Sequence, residues 1–250
     1  MGATEAVITD LRRRVADAAS VVVFTGAGMS AESGVPTYRG QGGLWKNFRA
    51  QDLATLDAFQ RNPALVWGWY RERRNRLLEV EPNDGHRAIA LAAGRVHLTL
   101  ATQNVDGLHA FAGSVNFLEL HGNIWREQCL SCPTTDDRSR HWLEKVTQGE
   151  ADPLPLCPDC ASLMRPSVVW FGEALDGRVI EAAFRAAEGC DLMFVVGTSG
   201  EVQPAASLPV LARRAGAYVV EVNIEPTLLT ERCNVSLFEP AGRVLPKILA

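Results

Sequence analysis

The sequence predicts an α/β fold: a parallel sheet with helices on both faces, interrupted by a small inserted module of a different kind. Three observations predict it. Short β-branched runs alternate with helical stretches along most of the 250 residues, the pattern of βαβ units. Val21-Val22-Val23-Phe24 is apolar without alternation, as a strand covered on both sides must be, and runs straight into Thr25-Gly26-Ala27-Gly28. Between His121 and Val168 the alternation stops, and two close cysteine pairs stand among Pro133, Pro153, Pro155 and Pro158.

In chain order, an amphipathic helix is expected over 5–19, followed by a strand at Val21–Phe24. Gly26 and Gly28 then permit backbone N–H groups and a helix N-terminus to approach a pyrophosphate closely. Gly26-x-Gly28-x-x-Ala31 meets the loose Rossmann pattern, which also asks for an acidic residue about 20 positions on, closing a second strand. That strand is missing. Residues 35–62 hold Pro36, Gly40, Gly42 and Gly43 and read as a loop with short helices, which weakens an ordinary dehydrogenase reading. Further helices are expected over about 62–79, 86–93, 177–188, 205–215 and from Arg243. Further strands are expected at Val96–Ala101, Val115–Leu120, Leu192–Val196, Tyr218–Val222 and Val235–Phe238. Ligands in such sheets sit at the carboxyl ends of strands. Four of these ends carry polar or glycine-rich text: the loop from Thr25, Thr102 to Asp106, Gly197 to Gly200, and Asn223 to Glu225.

The inserted segment has a chemistry of its own. Cys129-x2-Cys132, 24 intervening residues and Cys157-x2-Cys160 match a tetrahedral four-cysteine zinc site, closed by sulfur and therefore structural. Two of the six cysteines, Cys190 and Cys233, have no close neighbour in sequence and read as small buried hydrophobes. This usage suits a reducing compartment better than a disulfide framework.

Thr102-Gln103-Asn104-Val105-Asp106-Gly107-Leu108-His109, with His121 twelve residues beyond, gathers amide, carboxylate and imidazole groups beside the expected nucleotide site. Asn104 and Asp106 either serve that site or cap a helix starting near Val105. His109 reads as a structural histidine on the surface. His121, between a strand and the cysteine module, is placed for general base work, imidazole being basic near neutral pH. A net charge of −4, from 25 basic and 29 acidic residues, gives no overall attraction for nucleic acid. Apolar runs fall short of the roughly 18 residues a membrane helix needs. A cytoplasmic monomer is expected.

These motifs together resemble the sirtuins, NAD-dependent protein lysine deacylases. The resemblance rests on Gly26 to Gly40, Gly43-Leu44-Trp45, Thr102 to Asp106, His121-Gly122, the four cysteines, Val168 to Glu173, Gly197-Thr198-Ser199 and Val222-Asn223. It implies a Rossmann-like domain (1–28, 75–122 and 168–250), a cofactor-binding loop and helical part of a small domain (29–74), and a zinc-ribbon module (123–167). It implies NAD+ as co-substrate, one structural Zn2+, and acyl-lysine in a protein or peptide as partner. NAD contacts would come from Gly26, Ala27, Gly28, Ala31, Glu32, Thr37, Tyr38, Arg39 and Trp45. Gln103, Asn104, Val105 and Asp106 would add to these, as would Gly197, Thr198, Ser199, Asn223, Ile224, Glu225 and Ala241. His121, as general base, and Asn104 would be catalytic. Val168, Val169, Trp170, Phe171, Gly172 and Glu173 would flank a peptide lying as an added strand.

Tyr70 and Arg73, three apart on one helix face, resemble the pair that binds a substrate carboxylate in the class III subgroup, which includes bacterial desuccinylases and demalonylases. The bland alternative for this arginine-rich stretch is a solvated helix face. The resemblance implies succinyl-, malonyl- and acetyl-lysine as substrates, with products nicotinamide and O-acyl-ADP-ribose. Two rivals from other classes are a zinc-containing NAD(H)-binding regulator, for which no basic patch stands out, and a dehydrogenase.

Overall fold

The computed structural model describes residues 4–37, 50–137 and 153–249. Nine strands occur among them in chain order: β1 (Val21–Thr25), β2 (Leu98–Thr102), β3 (Leu118–Glu119), β4 (Gly122–Cys129), β5 (Thr135–Asp137), β6 (Met164–Val168), β7 (Leu192–Val196), β8 (Tyr218–Asn223) and β9 (Val235–Phe238). Six of them form one sheet in the order β3-β2-β1-β7-β8-β9, every pair parallel. Alternate residues of β1 feed two cores. Val21 and Val23 pack into a cluster with Ile8, Ile89 and Val244, whereas Val22 and Phe24 join Ala183, Leu208 and Ala212. The sheet is thus covered on both faces, as the unbroken apolar text of β1 requires.

Nine α-helices occur among the described residues: α1 (Glu5–Asp17), α2 (Ala50–Leu53), α3 (Leu56–Arg61), α4 (Pro63–Leu77), α5 (Asp84–Ala92), α6 (Leu108–Phe111), α7 (Gly177–Glu188), α8 (Leu208–Ala215) and α9 (Ala241–Leu249). Their ends follow local chemistry. Asn62 caps α4 by accepting from Leu65 N–H, and Pro63 fills the first turn, where no N–H is needed. Asn83 accepts from Gly85 and His86 N–H groups, so α5 starts two residues before the expected position. No described helix is long and apolar enough to cross a membrane.

Three expectations are corrected. The strand foreseen at 115–120 contracts to Leu118–Glu119, because Asn116 takes a left-handed φ of 53° and Val115 points to solvent. The helix foreseen over 205–215 opens as a 3₁₀ turn, Ala205–Ser207, and becomes α-helical at Leu208. His109 lies buried rather than on the surface. Cys190 and Cys233 pack against the second core as small hydrophobes, and burial pushes their thiols up to about 11 and about 12.

The inserted segment forms an antiparallel sheet, β5-β4-β6. At its end, the sulfurs of Cys129, Cys132, Cys157 and Cys160 all lie within 4.8 Å of one another. Cys129–Cys160 and Cys132–Cys157 are 3.5 Å apart. A tetrahedron with Zn–S bonds of about 2.3 Å has edges of about 3.8 Å, so four thiolates here fit one Zn2+. One zinc per chain is expected by elemental analysis. Cys157→Ser should lower that stoichiometry and the midpoint of thermal unfolding together.

The same small sheet holds α4. Trp67 donates its indole N–H to the Met164 carbonyl at 3.0 Å. Arg74, fully buried, donates from Nε to the Ile124 carbonyl at 2.6 Å and from Nη1 to Glu127 at 3.0 Å. Arg74→Ala would remove the buried ion-pair partner of the Glu127 carboxylate. It should cost about 3–5 kcal/mol in urea unfolding, whereas Arg76→Ala, at an exposed pair with Glu72, should cost about 0–1 kcal/mol.

Candidate active site

The chain moves outward from β1 to β2 and β3 on one side, and from β7 to β8 and β9 on the other. The strand order therefore reverses between β1 and β7, where an open α/β sheet forms its ligand crevice. Two backbones cross there at close range. Gly28 N–H donates to the Gly197 carbonyl at 2.8 Å, and Gly26 N–H to that of Val196 at 2.9 Å. A Cβ on Gly28 would stand 2.8 Å from the Gly197 Cα, and one on Gly197, at φ 59°, would stand 2.2 Å from Met29 N. Neither position admits a side chain.

From this crevice a single cavity of about 930 Å³ extends towards the small sheet and α4. Among the expected cofactor residues, the structure brings Gly26, Ala27, Gly28, Ala31, Glu32, Thr37, Gln103, Asn104, Val105, Gly197, Thr198, Ser199, Asn223, Ile224, Glu225 and Ala241 to its wall. Tyr38, Arg39 and Trp45 lie outside the described residues. The volume, the loops at the strand carboxyl ends and the glycine backbones at the crevice suit an extended dinucleotide.

Asp106 sits behind the wall. One of its oxygens accepts from Leu108 N–H at 2.9 Å and the other from the Ser30 hydroxyl at 2.8 Å. It therefore holds the start of α6 as well as the glycine loop, and burial pushes its carboxyl up. Asn104 spends both amide hydrogens on the same loop, to the Gly26 carbonyl at 3.0 Å and Ser30 Oγ at 3.2 Å. What Asn104 offers the cavity is its Oδ1, an acceptor. Deeper still, His109 Nε2 lies 3.0 Å from Thr25 Oγ1, and its ring is 4.7 Å from that of His86. Burial pushes His86 down to about 4 and His109 well below the usual imidazole range, so both are neutral. Ser30, His86 and Thr25 had no pairwise spacing in sequence to mark them; only the fold joins them.

His121 lines the cavity just before β4. Its Nδ1 is 3.1 Å from the Gln103 carbonyl, which can only accept, so the proton sits on Nδ1 and Nε2 is left as the basic nitrogen. Burial lowers its pKa, the Gln103 bond partly opposing.

At the far end, Tyr70 and Arg73 line the cavity with Val168 to Glu173. The arginine run is not a uniformly solvated face: Arg74 is buried, Arg71 and Arg73 are half-buried and Arg76 is exposed. The Arg73 guanidinium lies 4.6 Å from the Trp69 ring centroid. The loop after β6 is braced from both sides. Phe171 N–H donates to the Ala54 carbonyl at 2.9 Å, and Trp170 N–H to Glu173 at 2.8 Å. Trp69 and Ala54 also line this end; sequence reasoning passed over both, since only their neighbours carry polar groups.

The Sir2 family pattern matches residues 26–204. An NAD-dependent protein deacylase of Pyrococcus furiosus is 45% identical over 241 residues, covering 96% of each chain. One from Pseudomonas aeruginosa, NAD-dependent protein deacylase 1, is 48% identical over 237 residues, covering 94% of this chain and 95% of its own. Among solved structures, a complex of a Sir2 homologue with NAD superposes with a TM-score of 0.88 at 40% identity, covering 99% of this chain and 94% of the other. A Sir2–p53 peptide–NAD+ complex gives 0.83 at 29% identity, covering 97% of both. With the crevice at the strand reversal, the four-cysteine module and the imidazole between them, the chain belongs to the Sir2 family.

Proposed function

We propose that the chain is an NAD-dependent protein-lysine deacylase with a preference that extends to succinyl and malonyl groups. The observation that carries this reading is one cavity shared by three things: the glycine crevice at the β1/β7 reversal, the His121 imidazole, and the Tyr70–Arg73 pair. In this reading 29–74 and 123–167 form the small lobe, and the remainder is the NAD-binding domain. NAD+ would lie along the crevice with its adenosine end towards Asn223, Glu225 and Ala241. The acylated peptide would enter beside Val168 to Glu173 as an added strand.

The chain's own groups match the demands of such a reaction. His121 Nε2 would accept a ribose hydroxyl proton while the Gln103 carbonyl holds the ring's tautomer. Asn104 Oδ1 would accept a hydrogen bond from a hydroxyl or water, its amide hydrogens being fixed on the glycine loop. Burial of the crevice replaces water by oriented dipoles where positive charge develops as nicotinamide leaves. A phenol and a guanidinium at the acyl end suit a carboxylate, each charge-assisted hydrogen bond contributing about 1.5–3 kcal/mol.

Mass spectrometry of one peptide in succinyl and acetyl forms, incubated with NAD+, tests the reading. Peptide-dependent nicotinamide release with the acyl group moved to ADP-ribose is expected; NADH formation, or no turnover, would refute it. Arg73→Met should lower kcat/KM for the succinyl peptide by about 10- to 150-fold, one charge-assisted bond being lost, with a much smaller loss on the acetyl peptide. Equal losses would remove Arg73 from the carboxylate site.

The pH dependence follows from His121. A base with its pKa below 6.5 is competent above that pKa and lost by protonation below it. The acid limb of the kcat/KM profile should therefore lie below pH 6.5. His121→Ala should abolish that limb and lower kcat by about 10²–10⁴-fold.

A further inference from the structure

Trp170 does more than border a peptide groove. Its indole is buried, 2% exposed, and its Nε1–H donates to the Tyr70 hydroxyl at 2.9 Å. The indole cannot slide away from that bond. The Arg165 guanidinium lies 3.4 Å from its ring centroid and holds the Glu173 carboxylate with both terminal nitrogens, Nη2 at 2.9 Å. The same carboxylate accepts from Trp170 N–H, so one ion pair clamps the residue's backbone and its ring. Phe59 closes another side at 5.3 Å between centroids.

A hydroxyl oxygen that accepts from an indole N–H keeps its own hydrogen to give, and is polarised towards donation. We propose that Trp170 is a positioning residue for acyl selectivity: its indole N–H orients the Tyr70 hydroxyl as a donor to the carboxylate of an acidic acyl group. This rests on the assignment of Tyr70 and Arg73 to that carboxylate. It adds a coupling between the two parts of the substrate. The loop that receives the peptide backbone also sets the polarity of the phenol at the tip of the acyl chain, through Trp170.

The test is a double-mutant cycle of Trp170→Phe and Tyr70→Phe, read as the ratio of kcat/KM for succinyl and acetyl forms of one peptide. The ratio does not depend on the fraction of enzyme correctly folded, and phenylalanine keeps a ring against Arg165. Trp170→Phe should lower the ratio about three- to tenfold, as loss of one hydrogen bond to a donor does, mainly through KM of the succinyl peptide. In the Tyr70→Phe background the same change should lower the ratio no further, because its target oxygen is gone. A ratio unaltered by Trp170→Phe, or losses that multiply in the double variant, overturn the inference while leaving the carboxylate assignment standing. If the unmodified protein acts on the acetyl peptide and never on the succinyl one, the assignment falls and takes the inference with it.

Discussion

The close crossing of two backbones, Gly26 to Gly28 over Gly197, is the constraint on which the rest of the site depends. Main-chain hydrogen bonds of 2.8 and 2.9 Å at the ends of β1 and β7 bring the loops after two central strands into direct contact. That contact shapes the floor of the crevice, and it brings Ser30 over the loop after β2. Ser30 then ties Asn104 and Asp106 to the glycine turn. Three loops from three strands become one rigid wall. A side chain at Gly28 or Gly197 would separate them at the first joint.

A second body faces that wall. The antiparallel sheet has too few residues for a core of its own, and four converging thiolates supply what packing lacks. Its strands receive α4 through Trp67 and Arg74, and α4 presents Trp69, Tyr70 and Arg73 to the cavity. The buried Arg74 guanidinium is unusual in being satisfied largely by main-chain carbonyls and one carboxylate of β4. Such a group fixes the register of helix on sheet, since no other residue could meet the same acceptors.

Much of this was legible from residue text, for definite reasons. Apolar runs such as Val21–Phe24 and Leu192–Val196 announce strands buried on both sides. Paired cysteines two residues apart announce a metal whatever surrounds them. The chemistry-bearing loops stood out because parallel sheets put polar text at strand ends. What escaped notice depends on contacts across long separations. Ser30 lies 76 positions from Asp106, and Trp170 lies 100 from Tyr70; periodicity carries no signal at that range. β4 escaped because Gly122–Cys129 mixes polar and apolar residues without clean alternation. Asp106 shows a further limit: sequence posed capping against function as alternatives, and one carboxylate, with two oxygens, accepts from the Leu108 N–H at the start of α6 and braces the wall at once.

On the proposed function, the attachment of α4 to the small sheet would divide the substrate site between two bodies. Recognition of the nucleotide would then belong to the ends of the parallel strands, and recognition of the acyl tail to a helix held elsewhere. The main-chain bonds of the glycine crossing are made by Gly26, Gly28, Val196 and Gly197, so a change at residue 69, 70 or 73 would leave them in place. A fold partitioned in this way could diversify the acyl groups it removes while its cofactor chemistry stays constant, new specificities arising along a boundary that its architecture would already draw.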